Sequence, residues 1–135
     1  MKVLLSIKPE YVEQIFNGTK KFEYRRAIFK NKDVKTIIVY STLPVGKIVG
    51  EFDIEEIIED SPKDIWHRTK KHSGVQKVFY NAYFDGRKRA FAIKIASIKK
   101  YKNEICPYTQ LDNFTAPQSF MYAREQLLNK IEDVA

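Results

Sequence analysis

The chain has 135 residues, of which 44% are hydrophobic and 13% aromatic, and its formal net charge is +7. This composition is typical of one folded domain spanning residues 1–135, and it excludes a disordered polypeptide. The excess of positive charge favours a polyanionic partner such as nucleic acid; the alternative is a basic surface that is simply solvated.

The N-terminal part of the chain predicts a strand, a helix and a second strand. The apolar run Lys2–Lys8 predicts a buried strand. Pro9 predicts the start of a helix, because the first helical position does not use the N–H that proline lacks, and Gly18 predicts its end. From residue 21 to residue 26 the polarity alternates, which predicts a half-buried strand with two opposite faces, one with Phe22 and Tyr24, the other with Lys21, Glu23 and Arg25.

The middle of the chain predicts three more strands and two short helices. Two β-branched runs, Lys35–Thr42 and Gly46–Glu59, predict strands joined through the turn sequence LPVG. Helices are predicted from Ser61 to about Lys71 and from Ser73 to about Phe84, interrupted at the sequence HSG. The alternating segment Arg87–Tyr101 then predicts a long strand.

The C-terminal segment predicts one helix. Thr115 and Gln118 have the spacing of a capping box, which predicts a helix start. An apolar stripe then follows at helical spacing, formed by Phe120, Ala123, Leu127 and Ile131. The order β-α-β-β-β-α-α-β-α, in which strands mostly follow strands, predicts an α+β fold with a small curved sheet or barrel and helices at its rim.

Several kinds of site are disfavoured by the residues present. The single cysteine, Cys106, excludes an internal disulfide and a cysteine cluster for zinc. His67 and His72 are five residues apart, a spacing that does not place both rings on one helix face, so we expect no metal and no other cofactor. No apolar run reaches the roughly 20 residues of a membrane span, and the N-terminal run is too short for a signal peptide, so we expect a cytoplasmic protein.

The stretch GTKKFEYR contains the strongest candidate site. Lys20 follows the predicted helix end, and Glu23 and Arg25 are two residues apart on one face of a strand, so the three side chains converge on a small volume. A carboxylate can accept hydrogen bonds from the N–H groups of a nucleobase, while the two cations hold phosphate or polarise a carbonyl. The alternative is an ordinary ion pair between Glu23 and Arg25, worth about 0–1 kcal/mol.

The same stretch resembles the G-x-K-x-x-E-x-R signature of the ASCH domain (activating signal cointegrator-1 homology) family, at Gly18, Lys20, Glu23 and Arg25. The similarity continues through LLSIKPEYVEQIFNGTKKFEYR, VYSTLPVGKIVGEF and PQSF, so it reaches from Val3 to about Tyr122. It implies a PUA-like fold, a small β-barrel with flanking helices, and a cleft between the barrel and the first helix that receives RNA or a modified nucleotide.

The resemblance places the nucleotide-binding residues at Lys20, Glu23 and Arg25. Ser41 and Thr42, which end a predicted strand, border the same cleft in this interpretation, or else only cap the strand. Gln118 and Ser119 would lie at a helix N-terminus and offer donors to an anion. The capping box accounts for Gln118 without any ligand.

Three functions follow from this interpretation. The first is a binding module for RNA or a modified nucleotide. The second is a small hydrolase, a ribonuclease or a nucleoside amidohydrolase, with Lys20 and Glu23 as candidate catalytic residues. Acetylcytidine amidohydrolases of the superfamily carry a threonine where Glu23 stands, so this chain lacks that nucleophile. The third is a protein adaptor that uses aromatic residues around Tyr80 and Tyr83; the oligomeric state is left open.

Two further features are compatible with RNA binding. Trp66 can stack on a base, or it can belong to the core. Arg87, Lys88 and Arg89 form a cationic patch that can follow a phosphate backbone, or that is only solvated.

Overall fold

The computed structural model describes residues 1–135 and contains six strands and five α-helices. The strands are β1 (Lys2–Ile7), β2 (Phe22–Arg25), β3 (Thr36–Ser41), β4 (Lys47–Asp60), β5 (Ala90–Ile105) and β6 (Phe120–Tyr122). The helices are α1 (Pro9–Phe16), α2 (Pro62–Thr69), α3 (Lys77–Tyr83), α4 (Pro107–Gln110) and α5 (Glu125–Val134), with a 3₁₀ turn at Lys70–His72 after α2. Each helix is too short or too polar to cross a membrane.

All six strands form one sheet in the order β2-β5-β4-β3-β1-β6. Neighbouring strands are antiparallel, except β1 and β3, which are parallel. The pairing of β4 with β5 shifts register at three places, and such irregularities bend strands and increase their twist. The sheet is therefore curled into a half-barrel with helices around it, which confirms the predicted α+β fold.

The first helix has the predicted start and end. Pro9 occupies the first turn of α1, and Val12 and Ile15 turn inward to the core between the helix and the sheet. After α1 the backbone reverses at Gly18, whose φ of +86° lies in the left-handed region that side-chain-bearing residues avoid. This reversal brings the next residues back toward the sheet, where β2 begins.

The prediction of a helix from Thr115 is wrong. Phe120–Tyr122 form β6, which pairs antiparallel with Val3–Leu5 at the edge of the sheet, and α5 begins only at Glu125. The N-cap of α5 is Arg124, which makes no side-chain capping bond. The free edge of β1 offers backbone partners to this segment, and that pairing outweighs the local capping signal.

Two other predicted boundaries are displaced. The helix expected from Ser73 begins at Lys77, because Gly74 has a φ of +69° and the Ser73 hydroxyl bonds to both backbone polar groups of Val75, which closes a turn instead. The long strand extends beyond the predicted end to Ile105, which pairs with Ile48. The short helix α4 was not predicted.

Strand β2 is buried on both faces, so the prediction of a half-buried strand is also wrong. Phe22 and Tyr24 pack into a core cluster beneath α2 and α3. On the opposite face Glu23 is only 6% exposed and Arg25 only 9% exposed. The candidate charges therefore lie inside the protein, where an unpaired charge is costly.

Candidate functional site

A cleft of about 550 Å³ opens beside β2. Its walls come from the end of β1, helices α1 and α3, the turn after β3, and the segment that precedes β6. Four cationic residues and one acidic residue line it: Lys8, Lys20, Arg25, Arg26 and Glu23. The cleft therefore combines an excess of positive charge with one carboxylate.

Lys20 is held deep in the wall of the cleft by the turn that follows α1. The backbone N–H groups of Thr19 and Lys20 both donate to the carbonyl of Gln14, at 3.1 and 3.0 Å. The Lys20 side chain is 1% exposed, and its Nζ donates to the backbone oxygen of Ser73 at 2.6 Å. A Cβ on Gly74 would stand 2.7 Å from Lys20 Cγ, so a glycine at that position leaves room for the lysine stem.

The ammonium group of Lys20 lies between two aromatic rings. Its Nζ is 5.2 Å from the ring centroid of Tyr11 and 4.9 Å from that of Tyr24. Burial lowers the pKa of Lys20 to about 8, and the negative charge of Glu23 partly opposes this shift. The ammonium group of Lys20 is therefore protonated near pH 7 and loses its proton as the pH rises above about 8.

Glu23 presents one free oxygen to the cleft. Its Oε2 accepts a hydrogen bond from Nη1 of Arg25 at 3.2 Å. No partner within the protein reaches Oε1, and no buried polar side-chain atom lacks a partner, so Oε1 is open to the cleft. An ionised carboxylate accepts hydrogen bonds only, so this oxygen is available to a donor on a ligand.

Arg25 connects opposite edges of the curled sheet. From β2, its Nη1 also donates to the carbonyl of Ser6 at 3.3 Å, and its Nη2 donates to the carbonyl of Ser119 at 2.6 Å. Ser6 belongs to β1 and Ser119 directly precedes β6, both at the far side of the strand order from β2. Arg25 therefore closes the half-barrel while it orients Glu23.

Aromatic rings with cations above them form the wall on the side of α3. Lys8 Nζ lies 4.8 Å from the ring centroid of Phe79, and the guanidinium of Arg26 lies 4.7 Å from that of Tyr83. The rings of Phe79 and Tyr83 are nearly parallel, with centroids 6.1 Å apart, and Tyr11 contacts Phe79 at 5.6 Å. This wall offers flat apolar surface next to positive charge.

A tyrosine pair forms part of the facing wall. The hydroxyl groups of Tyr40 and Tyr108 are 2.6 Å apart, and burial together with this hydrogen bond raises the pKa of Tyr40. Each of the two hydroxyls can donate or accept one further hydrogen bond.

The structure brings together most of the residues singled out from the sequence. Thr42 and Gln118 line the cleft with the three signature side chains. Ser41 is 2% exposed and is not among the lining residues, and Ser119 contributes its carbonyl to Arg25. Gln118 and Ser119 precede a strand, so the expected helix N-terminus at this position is wrong.

Of the two tyrosines named for a protein adaptor, Tyr83 is half-buried and lines the cleft, whereas Tyr80 is not exposed. Tyr80 is 2% exposed and donates its hydroxyl to the carbonyl of Pro62 at 2.6 Å. The sequence interpretation missed the aromatic wall and the two cations upon it, Lys8 and Arg26. Phe79 and Tyr83 do have the i, i+4 spacing of one helix face, and that was the available signal. No group of three or more His, Cys, Asp or Glu side chains is arranged to hold a metal ion.

Comparison with known proteins identifies relatives over nearly the whole chain. A protein from Zymomonas mobilis named ASCH domain-containing ribonuclease is 26% identical over 134 residues, which cover 96% of this chain and 89% of that protein. The crystal structure of ASCH from Zymomonas mobilis matches with a TM-score of 0.90 at 25% identity, over 99% of this chain and 96% of the other.

Similarity also extends to part of a longer protein. The protein named large ribosomal subunit protein uL22 from Ureaplasma parvum is 27% identical over 124 residues, which cover 90% of this chain. The chain spans 39% of the length of that relative. The model of the ASCH domain matches residues 5–103, a range that includes Lys20, Glu23 and Arg25. The chain therefore belongs to the ASCH domain family.

Proposed function

We propose that the cleft binds one nucleotide of an RNA chain, or a modified nucleotide, with the base directed toward Glu23 and Lys20. The observation that carries this proposal is the free Oε1 of Glu23, which lies in a cleft that also contains the buried ammonium of Lys20. This oxygen can accept a hydrogen bond from a ligand in the cleft, and a nucleobase has donors at its edge.

The two charged groups match the edge of a base that has an N–H beside a carbonyl oxygen. Glu23 accepts from the N–H or amino group, and Lys20 donates to the carbonyl oxygen. Aromatic side chains of the cleft, such as Phe79 and Tyr83, add apolar surface against which a planar base can pack. The guanidinium of Arg25 already donates hydrogen bonds to Ser6, Glu23 and Ser119, so its contribution is to hold Glu23 in place.

The phosphate of the nucleotide is assigned to the exposed cations at the cleft. Lys8 and Arg26 are both exposed, and each lies over an aromatic ring that fixes its position. Phosphate contacts of this kind release counterions, so binding should weaken as the salt concentration rises. Thr42 and Gln118 add polar groups to the same wall.

A second candidate function is cleavage of the RNA chain. The observation in its favour is the Zymomonas mobilis relative named as a ribonuclease, which aligns over 96% of this chain. For such a reaction Glu23 would take the proton from an attacking hydroxyl, Lys20 would stabilise the negative charge on the phosphate, and the leaving oxygen would take a proton from water.

The test is a titration of the four nucleoside monophosphates and of short oligoribonucleotides, with product analysis on the same samples. We expect Lys20→Met to abolish nucleotide binding, and we expect the matched variant Lys99→Met, on the exposed part of β5, to bind as the native protein does. Products that form with the native protein and not with Lys20→Met would favour cleavage. Equal binding by all three proteins would rule out the cleft as the nucleotide site.

A further inference from the structure

A second concave surface, here called the α2–α3 groove, lies on the other side of α3 from the cleft. It has a volume of about 730 Å³ and is lined by residues of α2, α3 and the turn that precedes β5. Four exposed cationic side chains line it: Lys63, Lys77, Arg87 and Lys88. Asp85 is the only acidic residue among the lining residues.

The cations of the groove are not neutralised by the protein. No ion pair within 4.0 Å involves any of the four. Arg89, one residue beyond Lys88, differs in this respect: its guanidinium lies 3.5 Å from Glu59 and 3.8 Å from Asp60. Four like charges around one concavity repel each other, and a bound polyanion would relieve that repulsion.

The groove also contains the single tryptophan of the chain. Trp66 is half-buried: on one side its ring contacts Tyr80, with centroids 4.7 Å apart, and it also lines the groove. The two alternatives that the sequence left open for Trp66, a core residue or a platform for a base, do not exclude each other, because the ring contacts the core on one side and the groove on another. An aromatic ring within a cationic groove is the combination with which proteins bind single-stranded nucleic acid.

Helix α3 separates the groove from the cleft, and Tyr80 lines both. Phe79 and Tyr83 of this helix face the cleft, whereas Lys77 and Asn81 face the groove. One helix with its side chains is about 10–12 Å wide, a distance that a few nucleotides of an extended strand can cross.

We propose that the α2–α3 groove is a second RNA site, which binds the phosphates and one base of the single strand that flanks the nucleotide held in the cleft. This inference rests on the proposed function of the cleft. The lysines and arginines of the groove contact phosphates, and Trp66 stacks on a base.

The test compares a short ligand with a long one. The double variant Lys63→Ala/Lys88→Ala removes two charges from the groove, and Lys99→Ala/Lys100→Ala removes two exposed charges from the distant part of β5 as the control. The probes are a nucleoside monophosphate and a single-stranded oligoribonucleotide of about ten nucleotides, within the site sizes known for such grooves.

We expect the groove variant to bind the oligonucleotide several-fold more weakly and to bind the monophosphate as the native protein does. In a plot of the logarithm of the oligonucleotide binding constant against the logarithm of the salt concentration, the slope of the groove variant should be smaller in magnitude by about 1.4. The control variant should keep the native slope within its error. The same loss in both variants, or an unchanged slope in the groove variant, would overturn the proposal.

Trp66 gives an independent readout, because excitation at wavelengths that tyrosine does not absorb reports on this groove alone. The oligonucleotide should quench its fluorescence and the monophosphate should not; saturation by the oligonucleotide without quenching would contradict stacking on Trp66. The variant Lys20→Met separates the two proposals. If it binds every probe normally while the groove variant loses the oligonucleotide, the cleft function fails and the groove stands as an RNA site; if only Lys20→Met loses binding, the groove fails.

Discussion

The buried ammonium of Lys20 should give the stability of this protein a distinctive pH dependence. Burial lowers the pKa of Lys20 from its ordinary value of 10.5 to about 8. Between these two values the unfolded chain holds a proton on Lys20 that the folded chain has released, so the free energy of unfolding rises with pH. Below about pH 8 both states carry the proton, and the cost of the buried charge is present in full.

The expected size of the effect follows from the two pKa values. At 1.36 kcal/mol for each pH unit between them, the buried charge costs about 3 kcal/mol below pH 8. About 2–3 kcal/mol of this should be recovered between about pH 8 and pH 10. The window ends at that point because tyrosines then begin to ionise in the unfolded chain, whereas the pKa of Tyr24 is raised to about 12 in the folded protein by burial.

The measurement is urea unfolding of the native protein and Lys20→Met at several pH values from about 7 to 10. Methionine keeps an unbranched stem and carries no charge, and all other ionisable groups are common to both proteins. The free energy of unfolding of the native protein, minus that of the variant, should rise by about 2–3 kcal/mol across the window. The exposed control Lys99→Met should give a constant difference, and a constant or falling difference for Lys20→Met would refute the reasoning.

Three more predictions concern the cleft and the sheet. Glu23→Gln should change the preference among the four nucleoside monophosphates by about tenfold in a binding titration, because the acceptor at Oε1 is altered. Its unfolding midpoint should fall as well, because the buried cations of Lys20 and Arg25 lose the carboxylate beside them. Nucleotide affinity measured against pH should fall above about pH 8 in the native protein and equally in the exposed control Lys99→Met, because Lys20 loses its charge there in both. Gly50→Ala should lower the free energy of unfolding by about 1–3 kcal/mol in urea unfolding, because a Cβ at this position would stand 2.5 Å from the carbonyl oxygen of Lys99. If the variant is as stable as the native protein, the two strands can move apart at no cost and the prediction is wrong.

The part of the site that the sequence predicted is local in the chain. Gly18, Lys20, Glu23 and Arg25 lie within eight residues, so the end of one helix and the alternation of one strand are enough to bring the three charged side chains together. Local rules of helix termination and strand alternation therefore predicted their convergence correctly. The same rules did not predict their burial, because β2 is covered on both faces by elements from elsewhere in the chain.

The parts that the sequence did not predict depend on contacts between distant segments. Strand β6 exists because Phe120 lies opposite Leu5 across the sheet, and no pattern within residues 115 to 122 indicates that pairing. The tyrosine pair likewise joins Tyr40 to Tyr108, which lie 68 residues apart. A local capping signal is worth about 1 kcal/mol, less than three residues of backbone pairing together with the packing of the Phe120 ring.

Gly18, Lys20, Glu23 and Arg25 divide into two residues that shape the cleft and two that we propose contact a ligand. Gly18 makes the turn, and Arg25 uses its guanidinium for Glu23, Ser6 and Ser119, so that these two positions shape the cleft and close the half-barrel. Lys20 and Glu23 can each form further interactions. Lys20 is an ammonium group whose pKa is lowered to about 8, and Glu23 is a carboxylate whose Oε1 has no partner in the protein. Both groups are 6% exposed or less and are held by internal partners, Lys20 by the carbonyl of Ser73 and Glu23 by Arg25. Buried ionisable groups of this kind in a cleft are typical of functional sites, which is the physical basis for the proposal that they bind a nucleotide.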